Sequence, residues 1–119
     1  MARSTTLKNV ILDLYLSGAT PHISLHTTDP VGDGSNEVTG GSYVRKPATF
    51  GAAAGGAADN TVAVEFTLMP ACTVTHCGIW SALAGTWQQG GALTASKTVN
   101  AGDTFRFPIG DLDVQEVDV

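Results

Sequence analysis

Charge is scarce in this chain. Only 14% of its 119 residues are Asp, Glu, Lys or Arg, against roughly 25% in an average globular protein. The six basic residues, Arg3, Lys8, Arg45, Lys46, Lys97 and Arg106, are scattered, and eleven acidic ones bring the net charge to −5. Nucleic acid is excluded as a partner, because phosphate binding needs clustered Lys and Arg to displace counterions. No apolar run reaches the roughly 18 residues of a membrane-spanning helix, so no membrane partner is expected. The Met1 end lacks a basic region followed by an apolar run, so no secretory signal is read there. Cysteine is limited to Cys72 and Cys77, five apart in a stretch that reads as one strand. On an extended strand they face opposite ways about 16 Å apart, well past the roughly 7 Å reach of a disulfide. They are expected as free thiols, which suits a reducing cytosol.

What the chain does have is enough apolar residue, 43%, to build one core, and its length fits a single domain, 1–119. One helix is expected, over about 5–17, because Leu7, Val10, Ile11 and Leu14 fall on one face at i, i+3, i+4 and i+7. Ser4 or Thr5 would cap its start and Gly18 its end, leaving Lys8, Asn9 and Asp13 on the wet face. From about residue 22 the period changes to two. His22, Ser24 and His26 alternate with Ile23 and Leu25, the pattern of a half-buried strand. Thr28–Ser42 is dense in turn residues and reads as a long surface loop. Pro47 confines the Tyr43–Phe50 stretch to a sheet edge. Val62, Val64 and Phe66 alternate cleanly, and Val74–Trp80 is apolar enough for a central strand. Trp87–Gln89 and Ala92–Ala95, split by Gly90-Gly91, read as two pairing strands. Asn100–Asp103 turns into Phe105, Phe107 and Ile109, and Leu112 and Val114 alternate in a last strand. The fold class is mainly β: an antiparallel β-sandwich or small, jelly-roll-like barrel with one N-terminal α-helix.

Patterns that carry chemistry are thin. His22 and His26 are about 13 Å apart on one strand face, too far to share an ion held at about 2.0 Å, and His76 lies elsewhere, so the histidines read as polar strand residues. Asp29, Asp33, Asn36 and Glu37 are oxygen ligands, yet they lack the alternating carboxylates of a calcium loop and fit a turn. No Gly-x-Ser-x-Gly elbow is present, and His76 and Cys77 point to opposite faces. Gly51–Gly56 lacks the Lys-Ser/Thr and helical period of a phosphate loop. No metal, cofactor or catalytic residue is expected, and the chain is read as a non-enzyme. Trp80, Trp87, Tyr43 and Phe50 are the residues that would form an aromatic platform for a sugar, against the plainer reading of core aromatics.

Several segments in order give the chain a likeness. They are Leu25-His26-Thr27-Thr28-Asp29-Pro30, then Glu37-Val38-Thr39-Gly40-Gly41-Ser42-Tyr43-Val44-Arg45, Thr49–Ala53, Thr75-His76-Cys77-Gly78-Ile79-Trp80, and Gly91–Leu93 through Lys97–Asp103. With the N-terminal amphipathic helix, the chain resembles a family of small virion proteins of tailed bacteriophages, variously labelled tail fibre, minor tail or head decoration proteins. Cys72, Cys77 and the acidic stretch Asp111–Asp118 are not part of that pattern. The resemblance implies a structural protein of the virion, assembled in the host cytoplasm. Its partners would be other virion proteins, the major capsid protein first and tail proteins as the alternative, and further copies of itself in a homo-oligomer. One domain of this length supplies no long shaft, which favours capsid decoration over a tail fibre. Asp29, Asp33, Asn36, Glu37, Tyr43, Arg45, Asp113, Glu116 and Asp118 are the candidate partner-contacting residues. Trp80, Trp87 and Tyr43 are the candidates if a host carbohydrate is bound instead.

Overall fold

Ser4 starts the only α-helix among the described residues, which are 4–17 and 20–115 of a computed structural model. Its extended backbone and its Oγ, accepting the Leu7 N–H at 3.1 Å, cap helix α1, Thr5–Leu12. The helix then widens into a π-helical turn over Asp13–Ser17. Gly18 lies outside the described residues. Eight strands follow: β1 His22–His26, β2 Lys46–Pro47, β3 Ala57–Asp59, β4 Val64–Phe66, β5 Cys72–Trp80, β6 Trp87–Val99, β7 Phe105–Phe107 and β8 Asp113–Gln115. All pairings are antiparallel. The main sheet runs β2-β1-β5-β6, and two ribbons, β3-β8 and β4-β7, complete an open, mainly β globule.

The core sits between the main sheet and the ribbons. Phe66 is its centre, with Tyr43 stacked at 5.9 Å and Phe105 and Phe107 edge-on at 6.3 and 6.4 Å. β4 and β7 bury every second residue, as an alternating strand with one wet face should. Asn60, itself buried, ties three loops by donating to the Val62 and Pro108 carbonyls and accepting from the Leu112 N–H. Pro47 does sit on an edge strand, opposite His22, where its missing N–H costs no ladder bond.

Three expectations need correcting. The Leu7–Val10–Ile11–Leu14 stripe, expected to pack against the sheet or a neighbouring subunit, is not the side that the chain itself buries. Leu12 and Leu16 are the buried residues, Ile11 is half-buried, and Leu7, Val10 and Leu14 are 47%, 58% and 74% exposed. Asn9 and Asp13, assigned to the wet face, point inward and accept the Gly56 and Ala53 N–H groups at 2.9 and 2.8 Å. The Ala53 and Gly56 N–H groups of the Gly/Ala loop find their acceptors in these two short polar side chains, which aliphatic ones could not supply.

β1 is not half-buried. Ser24 and His26 are as inaccessible as Ile23 and Leu25, because the indoles of Trp80 and Trp87 cover the polar side of the strand. Finally, Trp87–Gln89 and Ala92–Ala95 do not pair with each other. They are one strand, β6, running straight through Gly90-Gly91 against β5. Between Val74↔Lys97 and His76↔Ala92 the ladder breaks, so Thr75 alone faces the four residues 93–96, a bulge that bends β6 away from the sheet.

Candidate functional site

Of the residues singled out from the sequence, Glu37, Tyr43, Arg45, Trp80 and Trp87 come together at one end of the main sheet. There the segment 35–38 folds back along the outer edge of β1: the Thr27 N–H donates to the Asn36 carbonyl and the Val38 N–H to the Leu25 carbonyl. This lays Glu37 beside the strand, bridged to His26. The Leu25 N–H, pointing off the same edge, donates to the Tyr43 hydroxyl at 2.9 Å, and that hydroxyl donates to Glu37 Oε2 at 2.7 Å. The Tyr43 phenol is pushed well above its ordinary range, chiefly by burial.

Arg45 closes the cluster. Its Nε and one terminal nitrogen grip both Glu37 oxygens at 3.0 and 2.8 Å, and the other terminal nitrogen donates to the Leu83 carbonyl at 2.9 Å. The guanidinium also lies flat over the Trp80 ring, 3.5 Å from its centroid. A forked ion pair with a stacked cation is stronger than an exposed Lys–Glu contact, because geometry is fixed and water is partly excluded. Burial alone would raise the Glu37 carboxyl, but hydrogen bonds from Arg45 and Tyr43 outweigh it and hold the group below the usual carboxylate range.

Beneath the guanidinium runs a directed chain of hydrogen bonds. An indole N–H only donates, so Trp80 Nε1 gives its proton to Ser24 Oγ at 2.8 Å. The serine proton then goes to His26 Nε2 at 2.7 Å. A carbonyl only accepts, so His26 Nδ1–H donates to the Ser35 carbonyl at 2.7 Å. Burial pushes the imidazole pKa below the ordinary 6.5, which favours the neutral ring with its proton on Nδ1 and Nε2 accepting from the serine. Trp87 packs edge-on against both His26 and Trp80, at 5.5 and 5.3 Å. It fits only because Gly78 has no side chain: a Cβ there would lie 2.1 Å from the indole.

The remaining candidates lie apart. Asp29, Asp33 and Asn36 hold the turn at the loop tip. Asp29 accepts from the Val31 N–H and, through its carbonyl, from the Asn36 amide, while Asp33 accepts from both the Ser35 N–H and hydroxyl. Those Ser35 bonds draw the Asp33 carboxyl below its ordinary value. Asp113 is across the molecule on β8, facing Asp59 of β3. Glu116 and Asp118 lie outside the described residues. His22 donates from Nδ1 to the Thr20 carbonyl, and His76, opposite His26 in the β1–β5 register, bonds Thr75 Oγ1. No group of three His, Cys, Asp or Glu residues among the described residues is placed to hold a metal ion. Cys72 and Cys77 are free thiols, and burial pushes Cys77 up to about 11 and Cys72 upward as well, so neither is a ready nucleophile.

Of the four aromatic residues considered for a sugar, Phe50 is buried in the core, Tyr43 both accepts and donates through its hydroxyl, and Trp80 carries Arg45 on one face. Trp87 alone lines a cleft, an open groove of about 500 Å³ between the loop tip and β6, bordered by Asp29, His76, Gln88 and Gln89. A second groove of about 570 Å³ follows β6 past its bulge, walled by Leu93, Lys97, Phe105 and Asp111. Both are surface grooves.

Sequence reading did not find Ser24, His26, Asn9, Asp13 or Asn60 as structural centres. The available signal was the absence of Lys, Arg, Asp and Glu from β1, which marks a strand covered on both faces.

The arrangement pairs its charged groups with one another and ties the segment around Glu37 to β1. Comparison with curated proteins finds no match. A family model described as "Podophage GP4 fiber I protein gp80" matches residues 2–115, nearly the whole chain. The chain belongs to that family, and is a structural protein of the bacteriophage virion.

Proposed function

We propose that this domain is a non-enzymatic component of the tail-fibre apparatus, incorporated during assembly in the host cytoplasm, where it contacts neighbouring tail proteins through its braced loop. The observation that carries this reading is the match of a fibre-protein family over residues 2–115. The geometry supports it. Glu37, Tyr43 and Arg45 lock the base of the loop, so Asp29, Asp33 and Asn36 at its tip form a preorganised contact surface that loses little entropy on binding. With a net charge of −5, the matching surface on a partner is basic. Acidic contacts of this kind govern association rate and salt dependence more than affinity.

Decoration of the head shell by contact with the major capsid protein is the second reading. It is favoured by the shape: the molecule measures 44 × 26 × 26 Å, a bead rather than a shaft. Such a bead serves equally as one segment of a fibre. Copy number separates the two. Quantitative mass spectrometry of purified virions, with cryo-electron microscopy of the same particles, should find a few tens of copies or fewer, located at the tail. Hundreds of copies spread over the shell would overturn the fibre reading in favour of decoration. Saturable binding of a host glycan by the isolated protein, lost in Trp87→Ala, would instead make the groove beside Trp87 the working surface.

A further inference from the structure

The two edges of the main sheet are finished differently. Pro47 of β2 and the segment 36–38 guard one of them. At the other, β6 is last in the strand order, and no strand of the described residues pairs with its outer side. It runs for 13 residues without proline, and Lys97 is its only charge, so it lacks the usual guards of a free edge. Register fixes which of its groups face outward. The Leu25 carbonyl and the Thr27 N–H bond toward the segment 36–38, so the main chain of Ser24 and His26 faces β5. Their partners Gly78 and His76 then face β1, and by alternation Cys77 between them faces Gly91 of β6. The N–H and C=O groups of Gly90 and Ala92 therefore point off the open edge.

We infer that this edge takes up a free extended arm of another virion protein, which adds to the main sheet as a strand beside β6. Room for a second backbone is already there. Gly90, Gly91 and Ala92 are exposed and carry almost no side chain, and a Cβ at Gly91 would meet nothing within 4 Å. The residues Gln89 to Ala92 also border both surface grooves. Those grooves lie on opposite faces of the sheet: Cys77, Ile79 and Phe105 place the larger on the core side, while His76 and Trp87 place the smaller on the side of Ser24 and His26. Side chains of an added strand alternate between the two faces, so its two sets enter the two grooves. The walls select their chemistry. Ile79, Leu93 and Phe105 suit apolar side chains in the larger groove, and Asp29, His76 and Gln88 suit hydrogen-bonding or basic ones in the smaller. The arm is thus a segment in which apolar and polar residues alternate. A second copy does not fit, because its β6 is already part of a sheet and the loop tip, β7 and β8 wall the grooves against a whole domain. In strand addition of this kind main-chain bonds supply affinity and alternate side chains specificity. The inference rests on membership of the virion alone and holds for tail or head.

The test is residue-resolved amide exchange on the isolated full chain and on purified virions. In virions the Gly90 and Ala92 amides should slow at least about tenfold, whereas Gly91, already bonded to β5, should change little. Ala92→Pro removes an outward N–H, a change that an edge strand tolerates, so the isolated variant should keep the wild-type far-ultraviolet circular dichroism. On virions it should dissociate at least about tenfold faster than Ala92→Ser, which keeps the N–H. Unchanged exchange at Gly90 and Ala92 in virions overturns the inference. So does an Ala92→Pro protein that stays on virions as long as Ala92→Ser, because a partner that merely covers the edge would hold both alike. If Ala92→Pro fails to fold, exchange in the wild type decides alone. Protection of the same amides that grows with concentration in the isolated protein would put a second copy at the edge and overturn the free arm. Copy number and location, which decide between fibre and head shell, leave these outcomes unchanged.

Discussion

The Glu37–Arg45 cluster and helix α1 depart from ordinary polarity in opposite senses. In the cluster, groups that usually face water are turned inward and all paired: both Glu37 oxygens, the Tyr43 hydroxyl, Ser24 and His26 have partners within 3.0 Å. No buried side-chain polar atom among the described residues lacks a partner. On the helix, groups that usually face the core are left outside. A closed polar network rigidifies and is finished within one chain, while the apolar side of the helix is left uncovered by it. The contrast locates internal bracing at one end of the sheet and leaves the helix without it.

The largest expected effect breaks the helix's usual reading. Leu12→Ala should cost about 3 kcal/mol, because Leu12 has no exposed surface and its removal leaves a cavity. Leu14→Ala, at 74% exposure, should stay within about 0.5 kcal/mol at concentrations where the chain is monomeric. Urea unfolding of both variants measures this. Equal losses, or a larger loss at Leu14, would mean that the helix is seated on the stripe after all.

Next comes Glu37→Ala, which strands the Arg45 guanidinium and leaves the Tyr43 hydroxyl without its acceptor. Removing one partner of a fully buried pair costs about 3–5 kcal/mol. Here both side chains keep about 20% exposure, so a loss of about 2 kcal/mol, near 8 °C in Tm, is expected from calorimetry. Replacing Glu37 and Arg45 together by Gln and Met should recover part of it, because no uncompensated charge remains. An unchanged Tm in the single variant would mean that the cluster is a solvated surface pair and the loop is not braced by it.

Much of the architecture is legible in residue order, and what is not has identifiable causes. Alternation at Val64–Phe66 and Phe105–Phe107 gives strands with one wet face, and Pro47 gives an edge. The helix is legible as a helix, but periodicity carries no information about what its apolar stripe meets. Asp13 faces inward because loop 51–57 brings the Ala53 N–H to it, a contact 40 residues away in sequence. Gly90-Gly91 reads as a break, yet glycine there lets β6 pass close under Trp87, whose ring would touch a Cβ at Gly90. Glu37, Tyr43 and Arg45 are identifiable as a group from their spacing, whereas the contacts that hold the Arg45 guanidinium from outside, the Leu83 carbonyl in the β5–β6 turn and the Trp80 ring at the end of β5, are long-range and carry no local signal.

The smallest effect sharpens the same comparison through pH. Burial holds the His26 pKa below 6.5 and so favours its neutral form, which accepts from Ser24 and donates to Ser35. The charged groups facing it are Glu37 and Arg45, with His76 on the adjacent strand. Glu37, drawn below its usual range, and Arg45 keep their charges between pH 5 and 8. Below 6.5 the unfolded chain therefore takes up a proton at this histidine that the folded chain refuses. Stability is fully present above pH 6.5 and falls as pH drops from there toward the folded-state value, with a slope of at most about 1.4 kcal/mol per pH unit from this group. His26→Gln removes the titration, so wild type should lose more stability than the variant between pH 7 and pH 5, measured by urea unfolding of each at both values. The helix contributes nothing to this slope: its described residues contain no histidine, and Leu14→Ala should reproduce the wild-type pH dependence. Equal slopes in wild type and His26→Gln would show that the imidazole takes up its proton as readily in the folded chain as in the unfolded one, and that the hydrogen-bonded chain from Trp80 to Ser35 does not hold it neutral.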